Sequence, residues 1–188
     1  MKNIAIFASG SGTNAQKIME HFENESDVQI SLILVNNPNA GVIQRAKKFN
    51  VPVVKFNRQQ FSYSDEIVNV LLSHQIDLVV LAGFLWLVPQ NMVAAFPDQI
   101  INIHPALLPK YGGKGMYGHH VHEAVIAAKE KESGITIHYV NEKYDDGNII
   151  AQYKCEVSPT DTPDSLAHNI HKLEHQYFPK VIENILNS

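Results

Sequence analysis

One cysteine, Cys155, is all this chain of 188 residues contains. No disulfide can close within it, so its stability has to come from burial, and a reducing compartment suits it. Cys155 falls in an alternating stretch and reads as a buried strand residue. Charge is also scarce: 18% of residues are charged, against the usual ~25%. The net charge is −4 and the isoelectric point about 6.2. Neither value favours a nucleic-acid or membrane partner, so an anionic ligand would need a local cradle. No apolar run approaches the roughly 20 residues of a membrane span. The first strand pattern begins at Asn3 and no leader pattern is visible before it, so a protein without a leader peptide and a cytoplasmic location are expected. Repeats and low-complexity tracts are absent.

The residues present are 45% hydrophobic, as in a globular chain. One domain, 1–188, is expected from this length. Strand and helix patterns alternate through the first half: strands at 3–8, 29–35, 51–55, 78–82 and 99–104, helices at 14–22, 41–49, 64–73 and 89–96. Alternation at this spacing implies βαβ units and a parallel sheet. The run Leu78–Ala82 is apolar throughout, so it should be covered on both faces. In the second half a glycine-rich loop, Gly112–Gly118, leads to a helix over 121–129. Strands at 134–140 and 149–157 follow with only a turn between them, so they should be antiparallel. A last helix begins near Pro163 and is expected to break before Pro179.

Three groups of residues suggest chemistry. Ser9-Gly10-Ser11-Gly12-Thr13-Asn14 joins the first strand to the first helix. Small residues let backbone N–H groups approach an anion, and the helix N-terminus adds partial positive charge. A plain tight turn would use the same residues. Gly10, Gly12 and Ala15 also fit G-x-G-x-x-A, but the second strand ends Asn36-Asn37-Pro38, without the acid that a nicotinamide cofactor's ribose requires. Asn102 and His104 project from one face of a strand, at the carboxyl end where open α/β sheets place ligands. An amide beside an imidazole suits a developing oxyanion; a polar pair that organises the next loop is the alternative. Asp145-Asp146-Gly147 is ordinary turn sequence, or else a carboxylate that keeps His104 protonated. His119, His120 and His122 lack the spacing of a metal site, and no metal is expected. Phe84 and Trp86 are core, loop anchors, or one wall of a pocket for a planar ligand.

Taken together, Leu81-Ala82-Gly83-Phe84, Asn102-Ile103-His104-Pro105-Ala106-Leu107-Leu108-Pro109, Gly134 with Thr136 and Tyr139-Val140, and Asp145 with Gly147 resemble the folate-dependent formyltransferases. The likeness runs from the first strand to about Phe178. It implies a Rossmann-like α/β fold: an open twisted sheet of about seven strands, mostly parallel, antiparallel at its C-terminal part, with helices on both faces. It implies a transferase of one-carbon metabolism that moves a formyl group from 10-formyltetrahydrofolate, its co-substrate, to phosphoribosylglycinamide in purine synthesis. Asn102, His104 and Asp145 would be catalytic. Gly12, Thr13, Asn14 and Glu174 would bind the phosphorylated amine. The folate would meet Leu85, Trp86, Leu87, Val88, Asn102, Asn141, Glu142, Lys143, Tyr144 and Asp145. The partners would be these small molecules only, with the protein a monomer or homodimer. A formyltransferase for another amine, such as a sugar nucleotide, and a phosphate-binding module without chemistry are the alternatives. The sequence departs from the family at Trp86, where many members carry arginine, in lacking arginine from Gln59 to Ser73, and in its longer loop over Gly112–His122.

Overall fold

The computed structural model describes residues Met1–Ser188. Seven strands form a mixed sheet in the order β3-β2-β1-β4-β5-β6-β7. The chain separates into two compact units, Met1–Asn102 and Ile103–Ser188, and the division falls inside the fifth strand.

The first unit contains β1 (Lys2–Ala8), α1 (Thr13–Phe22), β2 (Val28–Val35), α2 (Val42–Lys48), β3 (Val53–Lys55), α3 (Arg58–Ser62), α4 (Glu66–Ser73), β4 (Leu78–Leu81), α5 (Gln90–Ala95) and most of β5 (Ile100–His104). β1 pairs in parallel with β2 and β4, β2 with β3, and β4 with β5. Ile4–Ala8 of β1 and all of β4 are buried, as continuous apolar runs require when both faces are covered. The expected helix over 64–73 is α4, and a short helix that was not expected precedes it. α3 is the addition, and it carries a capping box: Asn57 accepts from the Gln60 N–H, and the Gln60 side chain accepts from the Asn57 N–H. Phe56 and Phe61 flank that box with ring centroids 5.2 Å apart, a hydrophobic staple that fixes the entry of the chain. Both join Phe7, Phe84 and Trp86 in one aromatic cluster.

The second unit holds the end of β5, α6 (His119–Ala127), β6 (Glu132–Tyr139), β7 (Ile149–Glu156) and α7 (Pro163–Leu186). β6 and β7 are antiparallel, as expected. Cys155 lies in β7 but is half-buried, not buried, because that strand has only one neighbour in the sheet. α7 starts from a Thr162–Ser165 capping box and continues through Pro179 without the expected break. Proline at a helix interior costs about 3 kcal/mol. Phe178, Pro179, Val181 and Ile182 are all buried, and their burial offsets that cost. The inward ladder Leu166, Ile170, Glu174, Phe178 and Ile182 repeats every fourth residue and has one charged member.

Candidate functional site

The β1–α1 loop owes its shape to Gly12, which caps α1 with φ 75° in the left-handed region. A Cβ there would come within 2.4 Å of Val42, so glycine is needed for packing as well as for the turn. Thr13 and Asn14 occupy the first turn of α1, which contains no acidic residue. Their backbone N–H groups are among those that no helical carbonyl can satisfy. Arg45 steadies the loop through its Nε–H, which donates to the Ser11 carbonyl at 2.7 Å, and through a second bond to Gln16.

The loop after β4 is tied to this one. The Ser9 N–H donates to the Gly83 carbonyl at 3.0 Å, and the Leu85 N–H donates to the Ser9 hydroxyl at 3.3 Å. Val88 is buried, Trp86 is half-buried, and Leu85 and Leu87 expose 48% and 39% of their surface. Exposed leucines beside an aromatic ring suit a flat, partly apolar ligand. Arg58, which the sequence reading passed over, lies with its guanidinium 4.2 Å from the Trp86 ring centroid. Arg58 is exposed.

Asn102 and His104 both lie on β5, at its end. Asn102 is half-buried, opposite Leu81 in the pairing of β5 with β4. His104 is 3% exposed. Its Nδ1 is 3.5 Å from Oδ2 of Asp145, so the structure brings these two expected partners together. Its Nε2 is 2.7 Å from the Tyr111 carbonyl. A carbonyl only accepts, so Nε2 carries a proton. Below β5, the Thr136 hydroxyl donates to the Ala106 carbonyl and accepts from the Leu108 N–H, which fixes the chain leaving His104.

Asp145 has φ 53°. The turn around it is closed by Gly147, where a Cβ would lie 1.7 Å from the Tyr139 carbonyl oxygen. Its carboxylate receives the Gly113 N–H at 2.9 Å and faces His138 Nε2 at 3.7 Å. His138 escaped the sequence reading. Its place on the same β6 face as Thr136 was the available signal. Burial pushes the Asp145 carboxyl up, but His138, His104 and the Gly113 N–H outweigh it, and the pKa is lowered. For His104 the balance goes against the expectation. Burial lowers its pKa, and Asp145 and the Tyr111 carbonyl only partly reverse that. The imidazole therefore rests neutral at pH 7.

Asn141 to Tyr144 form the surface loop leading to Asp145; Glu142, Lys143 and Tyr144 are exposed, and Asn141 is half-buried. Asn141 donates to Asp146 at 3.3 Å. Glu174 is 5% exposed on α7, and its Oε2 lies 3.0 Å from Nδ1 of His171. His122 is buried, its Nδ1 has no hydrogen-bond partner, and burial pushes its pKa down to about 4. His119 and His120 face Glu123.

Comparison with known proteins gives a consistent result. The profile of the family described as "Formyl transferase" matches residues 2–182. A chloroplastic phosphoribosylglycinamide formyltransferase of Arabidopsis thaliana is 42% identical over 96% of this chain, which spans 64% of that protein's length. The phosphoribosylglycinamide formyltransferase of Bacillus subtilis is 37% identical, over 99% of this chain and 95% of its own. The crystal structure of the Bacillus halodurans protein of that name superposes with a TM-score of 0.90 at 37% identity, covering 98% of this chain and 95% of the other.

Proposed function

The chain belongs to the formyl transferase family, and from that we propose that it transfers the formyl group of 10-formyltetrahydrofolate to the amine of phosphoribosylglycinamide, a step of purine synthesis. The observation that carries the reading is the buried His104–Asp145 pair at 3.5 Å, at the end of the strand that also presents Asn102.

The folate supplies the reactive formyl carbon. The Asn102 amide donates a hydrogen bond to the formyl oxygen as negative charge builds on it. His104 has Nε2–H committed to Tyr111, which leaves Nδ1 as its working nitrogen. Neutral Nδ1 accepts the proton that the attacking amine loses, and the resulting cation faces Asp145 and the charged oxygen. The same nitrogen then returns the proton to the departing folate nitrogen. Asp145 stabilises the imidazolium at the moment it forms, within a site that otherwise opposes charge.

Binding roles follow from local geometry. The Gly12, Thr13 and Asn14 N–H groups would take the phosphate. Glu174 would accept hydrogen bonds from the ribose. Leu85, Trp86 and Leu87, with the backbone of Val88, suit one face of the pterin, and Asn141–Asp145 its polar edge. Arg58 offers the acidic folate tail the cation that Gln59–Ser73 lacks. The cytoplasmic assignment is part of the same proposal, supported by the single cysteine. A phosphate-binding module without chemistry leaves the buried pair unexplained.

The test is direct. Purified protein is given both substrates, and formylated ribotide is followed by mass spectrometry. Loss of formylfolate without formylated ribotide, or no reaction at all, would reject the assignment.

A further inference from the structure

Six residues other than glycine have left-handed backbone. Asn50, Gln75, Asp98 and Lys129 each lie just past the end of a helix, where that conformation is a common terminator. The other two are Tyr111, with φ 56°, and Asp145, with φ 53°. Neither follows a helix, and both touch His104. A left-handed backbone costs about 1–2 kcal/mol at a residue with a side chain, so something must hold it. At Tyr111 the holder is visible. Its hydroxyl donates to Glu130 Oε1 at 2.9 Å, and Lys110 Nζ donates to the same oxygen at 2.9 Å. Two residues on, the Gly113 N–H donates to Asp145. The strap Lys110–Gly113 thus contacts both members of the His104–Asp145 pair through backbone atoms.

We propose that Tyr111 is a positioning residue for His104: its carbonyl holds Nε2–H and so turns Nδ1 toward Asp145, while Glu130, just past α6, anchors Tyr111 in the backbone conformation that puts the carbonyl there. The inference rests on the role given to His104 above. The 2.7 Å bond at Nε2 is much tighter than the 3.5 Å approach at Nδ1, so the Tyr111 carbonyl, rather than the carboxylate, sets the ring's orientation. The phenol is suited to its task, because burial and then the bond to Glu130 push its pKa up and keep it a donor. Other ionisable groups acting on His104 are Asp145, His138 and Glu174. Asp145 approaches Nδ1 and the Tyr111 carbonyl holds Nε2, so the strap favours the Nε2–H tautomer.

Tyr111→Phe removes the phenol oxygen alone, and Glu130→Ala removes its acceptor. The His104 ring nitrogens are followed by NMR in ligand-free protein, beside steady-state kinetics. Both variants should lose the wild-type Nε2–H signature and show a lower His104 titration midpoint. Turnover should fall about tenfold with both KM values near wild type. Glu130→Asp should restore part of the signature and part of the turnover. The double variant should be no worse than the worse single one. An unchanged His104 spectrum in Tyr111→Phe overturns the inference, and so does a changed spectrum with a shift confined to KM. If Glu130→Ala does not fold, Tyr111→Phe decides alone. If wild-type protein transfers no formyl group, the functional reading fails, and the ring spectra still settle what holds His104.

Discussion

Nε2 of His138 stands 3.7 Å from Oδ1 of Asp145, on the carboxylate oxygen that His104 does not face. That contact helps lower the Asp145 pKa against the opposing effect of burial. In His138→Phe the carboxyl pKa should rise, and so should that of His104, which His138 also lowers, moving the acid limb of turnover to higher pH. A depressed carboxyl contributes stability above its unfolded pKa of about 3.9, lost as pH falls through the folded value. The variant should therefore lose stability at neutral pH, and less of it on acidification. A pH–rate profile identical to wild type would remove His138 from the site.

Asn102→Ala should reduce turnover ~10²–10³-fold, the usual cost of losing one oxyanion donor. His104→Ala should cost at least as much, because it removes both the base and the charge it acquires. Asp145→Asn should lower the His104 pKa further, since the influence of burial would then be less opposed. The acid limb that reports His104 should shift to lower pH even as the maximum falls. Substrate affinity should change much less than turnover in all three. Near-normal turnover in each would end the assignment.

Gly10 and Gly12 should separate cleanly in stability. A Cβ at Gly10 meets nothing within 4 Å, whereas one at Gly12 meets Val42 at 2.4 Å and a left-handed backbone. Gly10→Ala should stay within ~0.5 kcal/mol of wild type, and Gly12→Ala should lose about 1–3 kcal/mol. Gly12 is thus a poor position for testing phosphate binding without disturbing the fold. Thermal melts of the two variants that coincide would contradict this packing argument.

His122 sets an acid limit on stability. Its pKa is near 4 in the fold, pushed down by burial and by the neighbouring His171, with Glu174 acting the other way. The unfolded chain, titrating near 6.5, binds the extra proton first. Stability is therefore full above pH 6.5 and declines as pH falls toward 4, by roughly 3 kcal/mol for this one group. Urea unfolding between pH 7.5 and 4.5 should show that decline, and His122→Leu should flatten it. An equally steep decline in the variant would assign the effect elsewhere.

The Gly112–Gly118 loop should exchange its amide protons unevenly. The Gly113 N–H is held by Asp145, so it should be slow beside Gly115 and Gly118. Exchange across the loop should slow when both substrates bind. Uniform exchange, or no response to bound substrates, would argue against this view of the loop.

The strands were legible because β1, β2 and β4 are short apolar runs set between turn residues, and burial on two faces leaves no other pattern. Asn102, His104 and Asp145 stood out as candidates through their residue types and family resemblance. The structure then supplied the 3.5 Å approach of His104 to Asp145. The resting charge of His104 could not be read. It depends on how deeply later segments bury the ring, and burial outweighs the carboxylate that the sequence made conspicuous. α3 was missed although its Asn57–Gln60 box and Phe56–Phe61 staple were present, because a five-residue helix has no periodicity to detect. Pro179 misled for the opposite reason: local propensity argued for a break, and packing of α7 overrode it. Arg58 stands one residue before the arginine-free segment Gln59–Ser73, and only the folded chain brings it over Trp86.

Trp86 is the chain's one tryptophan. Its indole is half-buried on the loop after β4, under a guanidinium and among phenylalanines. Light absorbed near 295 nm would excite this ring almost alone, so the protein's red-edge emission amounts to a single-site signal. A conjugated heterocycle settling on Leu85 and Leu87 would quench it, and a carboxylate drawing Arg58 off the ring would shift its wavelength. Occupancy of that loop could then be titrated in unlabelled protein, without waiting for any bond to be made or broken.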